Sequence, residues 1–370
     1  MKPTFAASHT PSARQRQRQR QRQRGFSLVE LMVGLAIGLV LVAGLALLFA
    51  NSSQSGNELE KSIRQIENGR YAEELLHDDL ALAGFYGEVP ADFLGYTTPD
   101  VCATALPDLG WDKTVPSDPK VPLPLMGLTA AQAQALPATC ITNHKAGTIA
   151  FAIHRLGADL VAPAAKVANA PYVQTSRCVT DPVADPFLVS ATSGDFTLRN
   201  LQCNGINPVR QYVSRIYYIA DCNECGSDTT PTLKMAELRG TQMVTVPLAE
   251  GIENLVLEYG FDTTDPADAD PATDASKGGP DVFRPGLSGV VGARDNDWAN
   301  VVAVRLHLLS RTTEKSPGYS DSGKTYVMGP SSISGDGSGF KRRVYTTTVR
   351  LTNVAGLREV SPPATPASSP

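Results

Sequence analysis

The sequence predicts an α+β fold, in which one long N-terminal helix packs on an antiparallel β-sheet head with large insertions. No proline occurs between Gly25 and Gly84, so the chain there can form a single helix of about sixty residues. Beyond residue 88, short runs rich in β-branched and aromatic residues predict strands, and several alternate apolar with polar positions. The predicted strands cover residues 148–153, 212–220, 243–248, 252–261, 301–310 and 344–351. Helical character in this part is limited to residues 129–136.

The overall composition excludes two extreme classes of protein. The 370 residues carry a formal net charge of −4, and 42% are hydrophobic and 19% charged. Such a chain is too apolar to be disordered throughout and too polar to cross a membrane many times. No charge excess points to nucleic acid, and the length allows two or three domains at roughly 150 residues each.

The first fifty residues have a strongly uneven composition. Residues 1–25 contain no acidic side chain, but they contain Lys2 and six arginines that alternate with glutamine. Residues 31–50 contain no charged or strongly polar side chain, and twenty helical residues at about 1.5 Å each can cross a hydrocarbon core of about 30 Å. The basic run could neutralise phosphates as a nucleic-acid arm. The apolar segment favours the other interpretation, a cytoplasmic flank that obeys the positive-inside rule.

The junction between these segments reads Gly25-Phe26-Ser27-Leu28-Val29-Glu30. It resembles the type III signal of type IV pilins and pseudopilins. The resemblance implies that prepilin peptidase cleaves after Gly25 and that Phe26 becomes the N-methylated first residue. It also implies that Glu30 sets the axial register of assembly.

Glu30 has two interpretations from its own chemistry. An acid near a helix N-terminus can simply mark the membrane boundary, where the helix dipole favours it. A carboxylate within a membrane segment is costly unless it is paired. The new α-amino group of Phe26 on a neighbouring subunit would be a suitable partner.

Residues 51–86 keep helical spacing after the apolar segment. The predicted packing stripe contains Leu59, Ile63, Ile66, Ala72, Leu75 or Leu76, Leu80 and Ala83. The charges predicted to fill the other face are Glu58, Glu60, Lys61, Arg64, Glu67, Arg70, Glu73, Glu74, Asp78 and Asp79. The pattern alone is typical of an amphipathic helix on a domain. The resemblance of the leader junction to pilin signals implies that this helix is a pilin stem.

Three stretches resemble the PilW branch of minor pilins. They are residues 67–87, which begin Glu-Asn-Gly-Arg-Tyr-Ala, residues 251–260, and residues 341–353, which read KRRVYTTTVRLTN. The resemblance implies a pilin-like lollipop and a non-enzymatic minor pilin that helps prime type IV pilus assembly in a tip-located minor-pilin subcomplex. Residues 90–210 resemble no family.

The same resemblance implies the surroundings of the protein. Its partners would be other minor pilins, the major pilin, prepilin peptidase, the inner-membrane assembly platform and a large PilY-type tip adhesin. The chain would cross the bacterial inner membrane once, with a cytoplasmic N-terminus and a periplasmic head, and then reach the pilus tip at the cell surface. The implied segments are a cleaved leader (1–25), a transmembrane helix half (26–50), an amphipathic half (51–86), a β-rich head (87–360) and a disordered tail (361–370).

Two alternative functions remain open at this point. A minor pseudopilin of type II secretion shares the leader and stem, although the 345 residues left after leader removal are many for that group. A membrane-tethered periplasmic enzyme is the other. Against it, the five histidines form no H-E-x-x-H pattern and no G-x-S-x-G elbow exists.

Six cysteines lie beyond the apolar segment, and in an oxidising periplasm an even number predicts a disulfide framework. They are Cys102, Cys140, Cys178, Cys203, Cys222 and Cys225. Fifteen pairings are possible for six cysteines, and pairing in sequence order is the simplest. A zinc site at Cys222 and Cys225 would need a second ligand pair at comparable spacing, which is missing.

Two further motifs suggest ligands. Residues 318–325 satisfy the phosphate-loop pattern G-x-x-x-x-G-K-T, but Gly329-Pro330 leaves no room for the helix that such a loop needs, which predicts a surface loop between strands. Residues 262–281 are rich in aspartate, with Asp262, Asp265, Asp268 and Asp270 as weak calcium candidates. The run lacks EF-hand order, so a solvated acidic loop is the default. No other cofactor or metal is predicted.

Overall fold

The computed structural model describes residues 25–89, 95–115, 118–181, 186–264, 277–286 and 297–359. The chain divides into two compact units, residues 1–57 and 58–370. Most of the predicted leader, the predicted tail and three of the calcium candidates (Asp265, Asp268 and Asp270) lie outside the described residues.

Helix α1 spans Leu28–Ala81, 54 residues without interruption. It begins after Ser27, whose carbonyl accepts the amide of Leu31 at 3.0 Å. It ends shortly before Gly84, which has a φ of +74° and donates its amide to the carbonyl of His154. The long N-terminal helix is therefore confirmed, although it ends earlier than residue 86.

Asn353 lies beside the C-terminal end of α1. Its side-chain amide donates to the carbonyls of Leu82 and Ala83, at 3.3 Å each. The last carbonyls of a helix lack partners within the helix. Asn353 thus closes this end from a residue 270 positions later in the chain.

A seven-stranded antiparallel sheet forms the larger part of the head. A short parallel pair precedes it, β1 (Gly95–Thr97) with β2 (Lys120–Pro122). The sheet contains β3 (Leu125–Leu128), β4 (Ala150–Leu156), β5 (Tyr172–Thr175), β6 (Phe187–Ser190), β7 (Arg210–Ala220), β8 (Thr232–Arg239) and β9 (Gln242–Glu250). Its order is β3-β4-β7-β5-β6, and β8 pairs with both β7 and β9.

A separate four-stranded antiparallel sheet follows in the chain. It contains β10 (Ile252–Phe261), β11 (Val282–Arg284), β12 (Val301–Arg311) and, after a hairpin of β13 (Thr325–Met328) and β14 (Ser331–Ser334), β15 (Arg342–Arg350). Its order is β11-β10-β12-β15. Among the described strands, only β1 and β2 pair in parallel, so the predicted α+β class with a mostly antiparallel head is confirmed.

The other helices are short. Helix α2 (Ala130–Gln134) has a capping box between Thr129 and Gln132, and α3 (Thr352–Glu359) directly follows β15. Single 3₁₀ turns cover Leu106–Asp108, Pro163–Ala165, Ser193–Asp195 and Asp297–Asn300. The predicted helix at 129–136 corresponds to α2.

One continuous apolar core joins α1 to both sheets. Ala72, Leu76 and Leu80 of α1 are buried together with Phe151 and Tyr217 of the seven-stranded sheet. The same cluster contains buried side chains of the four-stranded sheet, among them Leu255, Leu257, Leu306, Leu308 and Val349. Strand β10 presents alternate residues to this core, whereas β12 is buried on both faces, so its polar-side positions are not exposed to solvent.

The six cysteines form three disulfide bonds in the structure, Cys102–Cys140, Cys178–Cys203 and Cys222–Cys225. The pairing follows sequence order. Because Cys222 and Cys225 are bonded to each other, neither offers a thiolate to a metal.

The segment that matches the phosphate-loop pattern leads into a strand. Thr325, its last residue, is the first residue of β13. A phosphate loop needs a helix N-terminus at this place, so the prediction of a surface loop between strands agrees with the structure.

His154 of β4 should make the stability of the head depend on pH. Burial lowers the pKa of His154 to about 4, and the hydrogen bond that its Nδ1 donates to the carbonyl of Leu123 only partly offsets this. An unfolded histidine titrates near 6.5, so the unfolded chain binds more protons between pH 6.5 and 4. Stability contributed by neutral His154 is therefore lost as pH falls through this window, by about 1.4 kcal/mol per pH unit.

His154→Gln tests this dependence. Glutamine can donate to the same carbonyl but does not titrate, so the variant should lose less stability than the parent between pH 6.5 and 4.5. Chemical denaturation at several pH values measures the difference. Parallel curves for the two proteins would contradict the assignment to His154.

Candidate functional site: the apolar start and the docked end of helix α1

The start of α1 exposes its whole apolar surface. Phe26 is 82% exposed, and every residue from 28 to 50 except one is exposed. By length and composition this part of α1 could cross a membrane, and the most apolar window has no buried residue. Such a surface requires lipid or other apolar helices around it.

Glu30 is the acidic residue in the first turn of this helix. One carboxylate oxygen lies 3.5 Å from the amide nitrogen of Ser27, which is the reciprocal half of a capping box. Gly34 and Gly38 follow on the same face at four-residue intervals, and together with Phe26 they line a shallow groove beside Glu30. The carboxylate thus lies at one end of an open, otherwise apolar groove.

From Glu58 onward, α1 packs on the head. The first contacts of this part of the helix are made by polar groups. Gln65 is buried, and its side-chain amide donates to the carbonyls of Ser310 (3.0 Å) and Lys341 (2.9 Å). Ser310 returns a hydrogen bond from its hydroxyl to the carbonyl of Gln65. A single helix residue therefore bonds to both β12 and the residue that precedes β15.

Gly69 of α1 lies directly against the ring of Tyr345 in β15. A Cβ atom at this position would lie 2.3 Å from a ring carbon of Tyr345, so any side chain here would force the Tyr345 ring or the helix to move. The neighbouring Asn68 donates its side-chain amide to the carbonyl of Glu250 at 3.1 Å. Glycine is needed here for space, not for backbone conformation.

Asp79 joins α1 to the seven-stranded sheet. Its side chain is only 7% exposed and accepts hydrogen bonds from Arg155 (3.0 Å) and Arg215 (3.0 Å), and from the hydroxyl of Tyr217. Although burial opposes the charged form of Arg215, the Asp79 carboxylate keeps the pKa of this guanidinium above its ordinary value. Burial is the main cause that raises the pKa of Tyr217, and the Asp79 carboxylate raises it further. Neutral Tyr217 therefore serves as a hydrogen-bond donor to the Asp79 carboxylate.

Glu58 has a similar role where α1 first contacts the head. Its carboxylate accepts hydrogen bonds from Lys341 (2.7 Å) and Ser316 (2.5 Å), and Lys61 lies 3.4 Å away. The hydrogen bond from Lys341, followed by that from Ser316, lowers the pKa of Glu58 to about 2. Glu58 and Asp79 thus mark the two ends of the docked part of α1.

These contacts correct the predicted packing stripe. Leu59 and Ile63 are 63% and 45% exposed, and Glu58 and Asp79, predicted to be on the outer face, contact the head. The C-terminal half of the stripe, from Ala72 to Ala83, is buried as predicted. The stripe was wrong at its start because the face that packs there is small and polar and meets backbone carbonyls of the sheet.

Two known protein families match segments of the chain. Residues 20–46 match the prokaryotic N-terminal methylation motif, and residues 216–353 match the family of type IV pilus-assembly protein W, PilW. Together the two matches support a PilW-type type IV minor pilin. No curated protein and no solved structure matches it. PilW is a structural pilus-assembly family, and the prediction that the chain is not an enzyme is confirmed on that basis.

The PilW match covers several partners of the docked helix but not Arg155 and Arg215, which bind Asp79. It runs from Ile216 in β7 to Asn353, and it includes Tyr217, Ser310, Lys341 and Tyr345. The match to the methylation motif includes Gly25, Phe26 and Glu30. Cleavage after Gly25, methylation of Phe26 and the register role of Glu30 remain predictions.

The calcium prediction also remains untested. Asp262 is buried, and its carboxylate accepts hydrogen bonds from Arg358 (2.7 Å) and the amide of Gly278 (2.8 Å). This carboxylate already has a cationic partner. Asp265, Asp268 and Asp270 lie outside the described residues.

The docking role of four residues was not predicted from the sequence: Gln65, Gly69, Asp79 and Asn353. A buried Gln, Gly or Asp on a polar stretch leaves no trace in apolar periodicity. The sequence contained one signal for these roles: Asn68, Gly69 and Asn353 lie in stretches that resemble PilW proteins.

Asp79→Ala should strongly destabilise the docked helix. The substitution leaves Arg155 and Arg215 without their shared anion, and breaking a buried ion pair costs about 3–5 kcal/mol. Denaturation of the full chain in detergent, followed by circular dichroism, measures the loss.

Asp78→Ala is the matched control, because its side chain is 74% exposed on the adjacent position. We expect a change of less than about 0.5 kcal/mol, as for most surface substitutions. Equal effects of the two variants would contradict the role assigned to Asp79.

Proposed function

We propose that this PilW-type chain takes part in priming type IV pilus assembly, within a minor-pilin subcomplex at the pilus tip. The observation that carries the proposal is the exposed apolar half of α1 with a carboxylate at its start, in the segment that matches the methylation motif. An apolar helix of this length is stable only in a membrane or among similar helices. The family match favours packing among similar helices as the environment in which the protein functions.

The proposed assembly step is helix packing. Prepilin peptidase removes residues 1–25, and Phe26 is methylated on the new amino group. The membrane-anchored subunit then leaves the lipid, and its apolar surface packs against the helices of neighbouring pilins. The head, which bears three disulfide bonds, faces the oxidising periplasm and later the cell exterior.

Glu30 supplies the axial register in this proposal. A lone carboxylate among apolar helices is costly unless it meets a cation. The amino group of Phe26 on a neighbouring subunit can meet it only when the two helices are in one relative position along their axes. The capping bond to Ser27 is the competing explanation, because it would make Glu30 a local helix-start residue only.

The proposed partners follow from these steps. They are other minor pilins and the major pilin through the helices, prepilin peptidase at the leader, the inner-membrane assembly platform, and a large PilY-type tip adhesin near the head. Membership of a pilin family supports contacts with pilus components in general.

Glu30→Ala and Glu30→Gln separate the two roles of Glu30. Each variant is expressed in a strain that lacks the chain, and the mass of the mature protein, the piliation of the cells and its amount in sheared pili are measured. Both variants should be cleaved normally, restore few pili and enter pili about tenfold less, which corresponds to about 1.4 kcal/mol.

Glutamine keeps an oxygen for the amide of Ser27 but carries no charge. If Glu30→Gln restores pili and enters them as the parent does while Glu30→Ala does not, capping explains the residue. That outcome would remove the register role. Normal piliation of the strain that lacks the chain would contradict the priming role.

A further inference from the structure

Strand β15 has one edge without a partner strand. The amide of Leu351 donates to Val302 (2.8 Å) and the amide of Thr312 donates to Lys341 (2.9 Å), at the two ends of the ladder between β12 and β15. Hydrogen-bonded pairs alternate in antiparallel sheets, so the odd-numbered residues of β15 bond to β12. The even-numbered residues therefore direct their backbone groups to the free edge, and they are Arg342, Val344, Thr346, Thr348 and Arg350.

This edge strand carries arginines at both ends but is not short, bulged or interrupted by proline. The ladder between β12 and β15 runs through nine residue pairs without a register shift, and β15 contains no proline. The edge strand β9 of the other sheet contains Pro247 and lies beside a bulge in its pairing with β8. The described edge strands β3, β6 and β11 have four residues or fewer. Edge strands that must not pair are typically short, bulged or interrupted by proline.

The side chains along the edge also suit strand pairing. Thr346 and Thr348 are exposed, and β-branched residues pair well across strands. Among the described residues, no main-chain group bonds to the outward-facing amides of Val344, Thr346 or Thr348. The edge is regular, accessible and unpaired in this part of the molecule.

Two basic side chains flank the edge. Arg343 is exposed, with its guanidinium 5.5 Å from the ring of Tyr345, and Arg70 is exposed next to Gly69, on which the same ring packs. Neither forms a salt bridge with a described residue, and Glu73 is the acidic side chain that shares their surroundings at Tyr345. The chain after residue 25 has 26 basic and 37 acidic residues, so this basic pair stands out from a net acidic protein. It favours an acidic group on whatever covers the edge.

A second copy of the chain fits this edge poorly. Antiparallel self-pairing about Thr346 would set Arg342 opposite Arg350 at both ends of the new ladder. Both arginines are already paired with carboxylates, Arg342 with Glu253 and Arg350 with Glu359, but β15 carries no acidic residue that a second copy could offer to basic groups beside the edge. The charge pattern therefore points to a different polypeptide.

We propose that the free edge of β15 binds an extended segment of another protein, which adds a fifth strand to the four-stranded sheet. An acidic residue of that segment lies beside Arg343 and Arg70. Main-chain hydrogen bonds supply the affinity of such strand addition, and side-chain contacts supply the choice of partner. The contact requires neither the charge of Glu30 nor a position at the tip, and it therefore goes beyond the proposed function.

Site-specific crosslinking in cells that produce the full chain tests the proposal. The photocrosslinker p-benzoylphenylalanine replaces Thr348, and mass spectrometry identifies the crosslinked residues. We expect one segment of a different protein that includes an acidic residue. Val344→Pro should abolish the crosslink, because it removes an outward-facing amide but no bond to β12, whereas Val344→Thr should retain it.

A second measurement controls for folding and for specificity. In the isolated chain, the amides of Thr346 and Thr348 should exchange hydrogen faster than those of Tyr345 and Thr347, and strand addition should slow them. An unchanged crosslink in Val344→Pro would overturn the proposal. So would a crosslink to a second copy, to residues 360–370 of the same chain, or to a segment without acidic residues, and so would the absence of any crosslink.

Discussion

The buried carboxylate of Asp79 is the interaction on which the head architecture depends most. It lies between two guanidiniums of the seven-stranded sheet, and its removal from water is compensated only because both oxygens are bonded. The attachment fixes the last turns of α1 on β4 and β7. The apolar side chains Ala72, Leu76 and Leu80 then reach the core that both sheets share.

The other end of the docked helix is fixed by contacts of a different kind. Gln65 bonds to main-chain carbonyls, and Gly69 allows the ring of Tyr345 to approach the helix backbone. Because these contacts reach β12 and β15, α1 joins two sheets that share no strand. The helix is thus a structural part of the head from Glu58 to Ala81. Its earlier half contributes no buried side chain within the described residues, and it remains available for contacts with other helices.

Much of this architecture could be predicted from the sequence because its signals are local. The apolar run of residues 31–50, the absence of proline up to Gly84 and the alternation in β12 each reflect one element and its surroundings. Strand β8 was missed because its sequence, TLKMAELR, consists largely of good helix formers, and sheet pairing on both sides overrides that propensity. The division into two sheets was missed because pairing is long-range. The docking role of Asp79 was missed because periodicity assigns an acid to solvent, and its cationic partners lie 76 and 136 residues away.

Native-state hydrogen exchange of the full chain in detergent tests most directly whether α1 and the head form one cooperative unit. The amides of α1 from Gln65 to Leu80 should exchange only through global unfolding, with the same free energy as those of β7 and β12. In Asp79→Ala, the helix and both strands should lose protection together. Exchange of the helix at a lower free energy than the strands in the parent protein would contradict this account, because the helix would then open independently of the head.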